Sequence, residues 1–339
     1  MTVPLVSLPI DDSLKAACQR IAELSRPVSA ENVWPGPQLD ILRETDTLRL
    51  GIPAEYGGVP ETKNDILLHY LALSQACLLT CFVLTQRNAA VQRVACSSND
   101  SLKQSLLPRL ARGEMFATVG ISHLTTSRQY LKQPIVTAEP ASAGNYLMRG
   151  EVPWVSGASH ADVIVTGGVL TNGDQLLVAL PTNHHGVQIH PSAQLLALTG
   201  SATSSVSLEN VTLAADQFLF PPTPQVLKKT GGGAGGLSTT TLALGLSRAA
   251  LEFLQQETLR RPELEPAVDP LVMECNALVK ELLEAAGKSD LPPQQTDTMR
   301  GQANSLVLRT TQAVMIASKG AGYVQGHPAE RWIRQAASS

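Results

Sequence analysis

Charge is scarce in this 339-residue chain: only 16% of its residues are Asp, Glu, Lys or Arg, against about 25% in an average soluble domain. Hydrophobic residues reach 43%, which excludes a largely disordered chain and points to surface covered by partner subunits. The net charge of −3 leaves no basic field for nucleic acid or anionic lipid. The five cysteines are an odd number with no CxxC pair and no neighbouring His cluster, so neither a disulfide framework nor a zinc site is expected. Buried free thiols in a reducing compartment are the expectation. Met1 to Ile10 lacks a positive n-region and an apolar h-region, so no signal peptide is expected and the predicted location is cytoplasmic. One run, Ile66 to Leu84, carries no charge and matches the length of a membrane span. It also contains His69, Tyr70, Ser74, Gln75 and Thr80, costly groups in hydrocarbon. A helix buried on all sides fits better.

The familiar catalytic strings are missing as well. There is no GxSxG, no HExxH and no paired carboxylate motif, and the seven histidines are dispersed. The run Gly231 to Gly236 formally satisfies GxGxxG, but a phosphate cradle needs a strand before it and a βαβ unit around it. Lys228-Lys229 precedes it and only helical pattern follows. It is read as a domain linker.

What is present changes period twice. The first third reads helical: a helix from Asp11 or Asp12 to about Ser25, another from Asp40 to Leu50, a turn at Glu55 to Gly58, a long helix from Asp65, and a short one from Ser101 to Arg112. Short β-prone runs follow at Phe116–Ile121, Ile135–Ala138, Tyr146–Val152, Asp162–Val169, Gln175–Leu180, Val187–His190 and Ser204–Leu208, divided by turn signals such as Asn172-Gly173. After Pro221-Pro222 the helical period returns in Leu237–Arg260, Asp269–Ala286 and Thr296–Lys319. The predicted class is α+β: an N-terminal helical domain (1–115), a middle antiparallel barrel or sandwich (116–222) and a C-terminal helical bundle (223–339).

Five strings occur in the order of one known family. Leu50-Gly51-Ile52-Pro53-Ala54-Glu55-Tyr56-Gly57-Gly58, Leu106 to Glu114, Glu151-Val152-Pro153-Trp154-Val155-Ser156-Gly157-Ala158, Glu209-Asn210-Val211, and Lys319-Gly320-Ala321-Gly322-Tyr323 with Pro328 to Arg334 together resemble the acyl-CoA dehydrogenase family of flavoproteins. The resemblance implies FAD, an acyl-CoA-like small-molecule substrate, an electron-transfer partner and a homodimer or homotetramer with flavin near the subunit boundary. It places Trp154, Val155 and Ser156 against the isoalloxazine, where an indole face and a few placed donors suit a planar aromatic ligand. A plain core position is the other reading of Trp154. Ile121 and Ser122 fall at the family's flavin-binding turn, with Ser122 keeping a hydroxyl. His123-Leu124 and Thr125 to Arg128 depart from the family's pattern there. The resemblance implies that Arg261 binds the flavin pyrophosphate of a neighbouring subunit, a task for a permanently charged, bidentate group. A solvated charge at a helix end is the alternative. Gly320 and Gly322 would let backbone approach the adenosine half, or would simply cap a helix.

The family's carboxylate base has no counterpart at its two usual places. Gly235 or Gly236 occupies one, and the sequence stops at Ser339 before the other. Glu252 and Glu257 lie deeper in the same helix on different faces and read as ordinary solvated groups. His123 is the remaining candidate base, with an imidazole that titrates near neutrality. A hydrogen-bonded histidine at a strand end is its plainer reading. Three functions remain open: an acyl thioester oxidoreductase, a flavin monooxygenase on the same scaffold, or a catalytically degenerate scaffold subunit.

Overall fold

A computed structural model describes residues 3–125, 133–230, 236–288 and 291–337. Residues 3–10 run without helix or strand and are pinned to the far end of the chain. Val3 N donates to Asp269 Oδ1 (3.1 Å), Val6 N to Asn276 Oδ1 (3.0 Å), and Gln255 Nε2 to Val3 O (2.7 Å). Asp11 then caps α1 (Asp12–Leu24) by accepting from Leu14 N at 2.7 Å. The second helix, α2 (Gly36–Arg43), starts earlier and ends sooner than expected. Proline in its first turn needs no N–H partner there, and Thr45 takes Thr47 N to open a separate 3-10 turn over Asp46–Arg49.

Thr62 and Asp65 form a reciprocal capping box that opens α3 (Lys63–Ala76). The uncharged run is two helices, not one: Cys77, at φ −160 and ψ 107, separates α3 from α4 (Leu78–Ala95). Packing explains the break. Alongside α3 lies α6 (Leu237–Thr258), so close that a Cβ on Gly245 would sit 2.9 Å from Leu71 O, while α4 turns to cover the sheet. One straight helix cannot serve both neighbours. No described helix is long and apolar enough to cross a membrane. Asn99, rather than Ser101, caps α5 (Asp100–Ala111), accepting from Leu102 N.

The middle of the chain forms β1 (Ala117–Gly120), β2 (Val136–Pro140), β3 (Tyr146–Val155), β4 (Val163–Val169), β5 (Gln175–Pro181), β6 (Val187–Ile189), β7 (Ser204–Leu213) and β8 (Phe218–Thr223). They join in one sheet of order β6-β7-β3-β2-β4-β5-β8, with β1 on β4. Pairing is antiparallel except for β1–β4 and β2–β4, which are parallel. The interior strands β4 and β5 are buried on both faces: Leu177 and Val165 face the N-terminal helices, and Val178 and Ile164 a second core with Met148 and Val206. Strand β8 went unforeseen because of Pro221-Pro222. It sits at the edge of the sheet, where proline removes no ladder bond that the fold requires. The expected domain boundary after residue 222 falls at its end.

The C-terminal bundle holds α6, α7 (Glu265–Ala286), α8 (Pro293–Ser318) and α9 (Pro328–Ala336). Its core continues into α3 and α4 through Leu71, Leu79, Leu244 and Leu251. The last helix staples all three parts. Arg331 Nη1 donates to Ser25 O, and Arg334 reaches Glu31, Glu330 and Leu196 O.

Candidate functional site

The site begins at an irregularity in β3. Gly150, at φ 130, lets this strand pass so close to Ile135 that a Cβ would sit 2.0 Å from its carbonyl oxygen. The register against β7 slips a second time between Val152 and Val155. Trp154 lies inside that second slip at φ 56 and is 60% exposed. A bulky residue in the left-handed region is a true backbone outlier. Such strain persists only where the surroundings over-determine it, and it gathers at functional positions. Here the surroundings are specific. Ser122 Oγ, in the 3-10 turn after β1, donates to Pro153 O at 3.2 Å. The expected residues Ile121–Ser122 and Trp154–Ser156 are therefore brought together across 31 positions of sequence. Val155 points its side chain into the sheet core, fully buried, so only its backbone is available to a ligand.

Ser156 is buried and bonded inward. Its Oγ lies 2.8 Å from Thr203 Oγ1, which lies 2.8 Å from Ser201 Oγ, and its carbonyl accepts from Thr118 Oγ1 at 2.6 Å. Gly157 N donates to Ser201 O at 2.7 Å. Sequence reasoning missed Thr118, Ser201 and Thr203. The only signal was the hydroxyl-rich run Ser201 to Ser205, which has no spacing relation to Ser156. The turn after Ser156 is held from the N-terminal domain. Trp34 packs on Gly157, stacks on His160 (centroids 4.3 Å apart, planes 9° apart) and meets Phe116 edge-on.

His123 stands next to Ser122 but faces β4. Its Nε2–H donates to Gly167 O at 2.8 Å, and its Nδ1 is buried without a partner among the described residues. Burial lowers its pKa, so the ring is neutral at pH 7 with a lone pair on Nδ1. His123 is thus a hydrogen-bonded histidine just after β1, with its second ring nitrogen unpartnered among the described residues. Thr126 to Arg128, which depart from the family pattern, lie outside the described residues, as does Gly235. Gly236 is the residue before α6. Glu252 accepts from Gln75 Nε2 at 3.0 Å and Glu257 pairs with Arg261 at 2.7 Å, so both carboxylates deeper in that helix have protein partners.

The second cluster lies at the end of α8. Arg261 Nη2 donates to Glu257 Oε2 (2.7 Å) and to Ala317 O (2.8 Å), which places it beside the segment carrying Gly320 and Gly322. Both bonds come from Nη2. Nε and Nη1 have no protein partner among the described residues; Nη2 belongs to both two-donor edges of the guanidinium, so each of the other nitrogens can offer a phosphate a single bond. Ser318, next to Ala317, has a buried Oγ without a partner among the described residues. Lys319 adopts φ 52 and ψ −140, a conformation that favours glycine. Gly320 has open space where a Cβ would be, whereas a Cβ on Gly322 would press on Met315 Sδ at 2.8 Å. Gly322 is a packing glycine here, and Gly320 is the open one.

These features fit a flavin: an exposed indole with a hydroxyl beside it, and elsewhere a guanidinium with two nitrogens unpartnered among the described residues, near an orphaned hydroxyl and an open glycine. They do not fit a metal, since no group of three or more His, Cys, Asp and Glu side chains is gathered among the described residues. The cysteines are all free. Cys81 donates to Tyr70 O, and burial pushes the Cys18 and Cys275 thiols up to about 12.

Residues 11–114 match the family model described as acyl-CoA dehydrogenase, N-terminal domain. The probable acyl-CoA dehydrogenase YngJ of Bacillus subtilis (strain 168) is 24% identical over 345 residues, covering 94% of this chain and 89% of YngJ. Butyryl-CoA dehydrogenase of Megasphaera elsdenii superposes with a TM-score of 0.84 at 15% identity, over 98% of this chain and 94% of that one. TdsC of Paenibacillus sp. A11-2, a dibenzothiophene monooxygenase, in its complex with FMN and indole gives a TM-score of 0.73 at 19% identity, over 96% and 91%. At these identities the structural likeness establishes the fold.

Proposed function

We propose that this chain, which belongs to the acyl-CoA dehydrogenase family, is a flavin-dependent oxidoreductase that oxidises an acyl thioester or a related small substrate. The observation that carries the proposal is Trp154, an exposed indole in a strained conformation inside the register slip of β3, with the turn after β1 bonded to the residue before it. Trp154, with Ser156 and the Ile121–Ser122 turn, would hold the isoalloxazine; Arg261 and Gly320 would take the phosphate end of a flavin bound by a neighbouring subunit. A bound flavin would accept a hydride from substrate and pass electrons to an external acceptor. The residues here would bind and orient it: the indole would pack on the ring, and the Ser156 hydroxyl would supply a donor at its edge.

FAD rather than FMN is part of this proposal, because Arg261 with Gly320 forms a second candidate cluster, apart from Trp154, for the phosphate and adenosine part of a dinucleotide. A homodimer or homotetramer is part of the same proposal. Met273, Leu308, Ile316, Tyr323 and Val324 are at least half exposed on α7, α8 and the turn that follows, and a second copy would cover them. The five free thiols suit a reducing, cytoplasmic setting. Purification tests the proposal. A yellow protein whose released flavin chromatographs as FAD, bleached anaerobically by a short, medium or long acyl-CoA, supports it. A protein that stays colourless after incubation with FAD and with FMN overturns it.

A second reading, a flavin monooxygenase, is favoured by the engaged carboxylates. With Glu252 and Glu257 both partnered, and Gly236 at one expected base position, no carboxylate is assigned to take the α-proton that dehydrogenation requires. Oxygen uptake driven by NADH, without bleaching by any acyl-CoA, would select this reading. The likeness to TdsC agrees with it.

A further inference from the structure

The buried hydroxyl chain behind Trp154 carries a direction. A hydroxyl has one proton to donate and two lone pairs to accept. Thr203 Oγ1 lies 2.8 Å from both Ser156 Oγ and Ser201 Oγ; accepting from both would leave its own buried proton without an acceptor, so it donates to one and accepts from the other. If Ser156 donated inward to Thr203, the chain would end on Ser201, whose proton would then be left over at a fully buried position. No other acceptor for the Ser201 hydroxyl is found among the described residues, and a buried donor without a partner is unfavourable. In the opposite order Ser201 donates to Thr203 and Thr203 to Ser156. The spare proton is then on Ser156, at the end of the chain next to the exposed Trp154.

From this order we infer that Thr203 is a positioning residue for the flavin site: it occupies the inward side of the Ser156 hydroxyl as a donor and so commits the Ser156 proton to the bound ring. The backbone is built to keep the three oxygens in line. Ala202, between Ser201 and Thr203, takes the left-handed conformation at φ 49, and Leu198 does so at φ 60 where the preceding turn begins. The bond from Gly157 N to Ser201 O ties that turn to the far side of Ser156. A threonine at 203 is not needed to fill space alone, since valine has the same shape. What valine lacks is the proton.

The inference rests on the flavin reading of Trp154 and Ser156, and the test separates the two. Apoprotein is titrated with FAD, following quenching of flavin fluorescence, and the reduction potential of the bound flavin is measured for wild type, Ser156→Ala, Thr203→Val, Thr203→Ser and the Ser156→Ala/Thr203→Val double variant. The expected result is that Thr203→Val weakens FAD by about fivefold, the worth of one ordinary hydrogen bond. It should also shift the potential in the same direction as Ser156→Ala, while Thr203→Ser restores both and the double variant matches Ser156→Ala alone. Thr203→Ala replaces the valine variant if the latter does not fold. A wild-type potential and affinity in Thr203→Val, beside a shifted Ser156→Ala, overturn the inference and leave the flavin reading standing. A Ser156→Ala protein that equals wild type in both measurements overturns it too. Wild-type protein that binds neither FAD nor FMN removes the flavin reading itself.

Discussion

Arg334 joins three parts of the molecule through one side chain, and its removal has a calculable consequence. Its guanidinium grips Glu31 with two bonds (2.6 and 3.2 Å), reaches Glu330 Oε2 from Nε and Nη2 (3.0 and 2.9 Å), and donates to Leu196 O at 2.9 Å. The Glu31 side chain is only 7% exposed, against 32% for Arg334. Arg334→Gln therefore strands a buried carboxylate. Breaking a buried pair from one side costs about 3–5 kcal/mol, and the part-exposed guanidinium brings this to the lower end or below, about 2–3 kcal/mol. The loss falls on α9 first, because the buried residues of that helix are small or polar: Ala329, Gln335 and Ala336. Global melting of a multidomain chain is a poor readout. Amide hydrogen exchange of residues 328–336 is a direct one, and at about 1.4 kcal/mol per tenfold it should quicken by about 30- to 150-fold. Glu31→Gln should recover part of the loss in the double variant, since it removes the stranded charge. Exchange in α9 of Arg334→Gln within about threefold of wild type would refute the assignment of this pair as the fastening of the helix.

Trp154→Ala should lower flavin content on purification while circular dichroism reports unchanged helix. Equal flavin in variant and wild type would count against the placement. Glu61 accepts from Gly51 N, and burial raises its pKa to about 7. The unfolded chain then ionises near pH 4.5 while the folded one holds its proton, so stability falls as pH rises from about 4.5 to 7. Glu61→Gln should consequently slow amide exchange around Gly51 more at pH 8 than at pH 4, after correction for the intrinsic exchange rate, and an equal effect at both would show that Glu61 titrates normally. Thiol labelling should be graded by exposure. Cys96, at the surface, should react with a thiol reagent in the native protein, and Cys81 and Cys275 only after unfolding. Rapid native labelling of Cys275 would contradict the packing of α6 against α7.

Local signals carried most of the fold. Asp11 and the Thr62/Asp65 pair open helices because a short polar side chain beside a hydrophobic run has one good use. The failures were tertiary in origin. Nothing in the sequence around Cys77 punctuates a helix; the break is imposed by two different surfaces, α6 and the sheet, that α3 and α4 must cover. Pro221-Pro222 signals a stop on its own and becomes acceptable only once β8 is known to be an edge. The candidate site divides in the same way. Trp154 and Ser156 stand in one short string, Glu151 to Ala158, which is what the family resemblance could pick out. Ser122 was named through the family resemblance, whereas Thr118 and Thr203 lie 38 and 47 positions from Ser156, and no period or motif connects them to it. Arg261 meets the end of α8 through a carbonyl, and backbone atoms leave no trace in a sequence.

The fastening of residues 3–10 to α6 and α7, taken with the hold of α9 on residues 25 and 31, makes the molecule a loop closed twice without a covalent bond. The helical bundle grips the start of the chain at one place and the N-terminal domain at another, across 266 and 306 positions. A single cut in the backbone at the Gly231 to Gly236 join would thus not set the bundle free. The two fragments would remain associated, and separating them would require both clasps to open together. The same arrangement delays completion during synthesis: residues 3–10 leave the ribosome well before the residues of α6 and α7 that hold them, and the N-terminal helices stay incompletely covered until then.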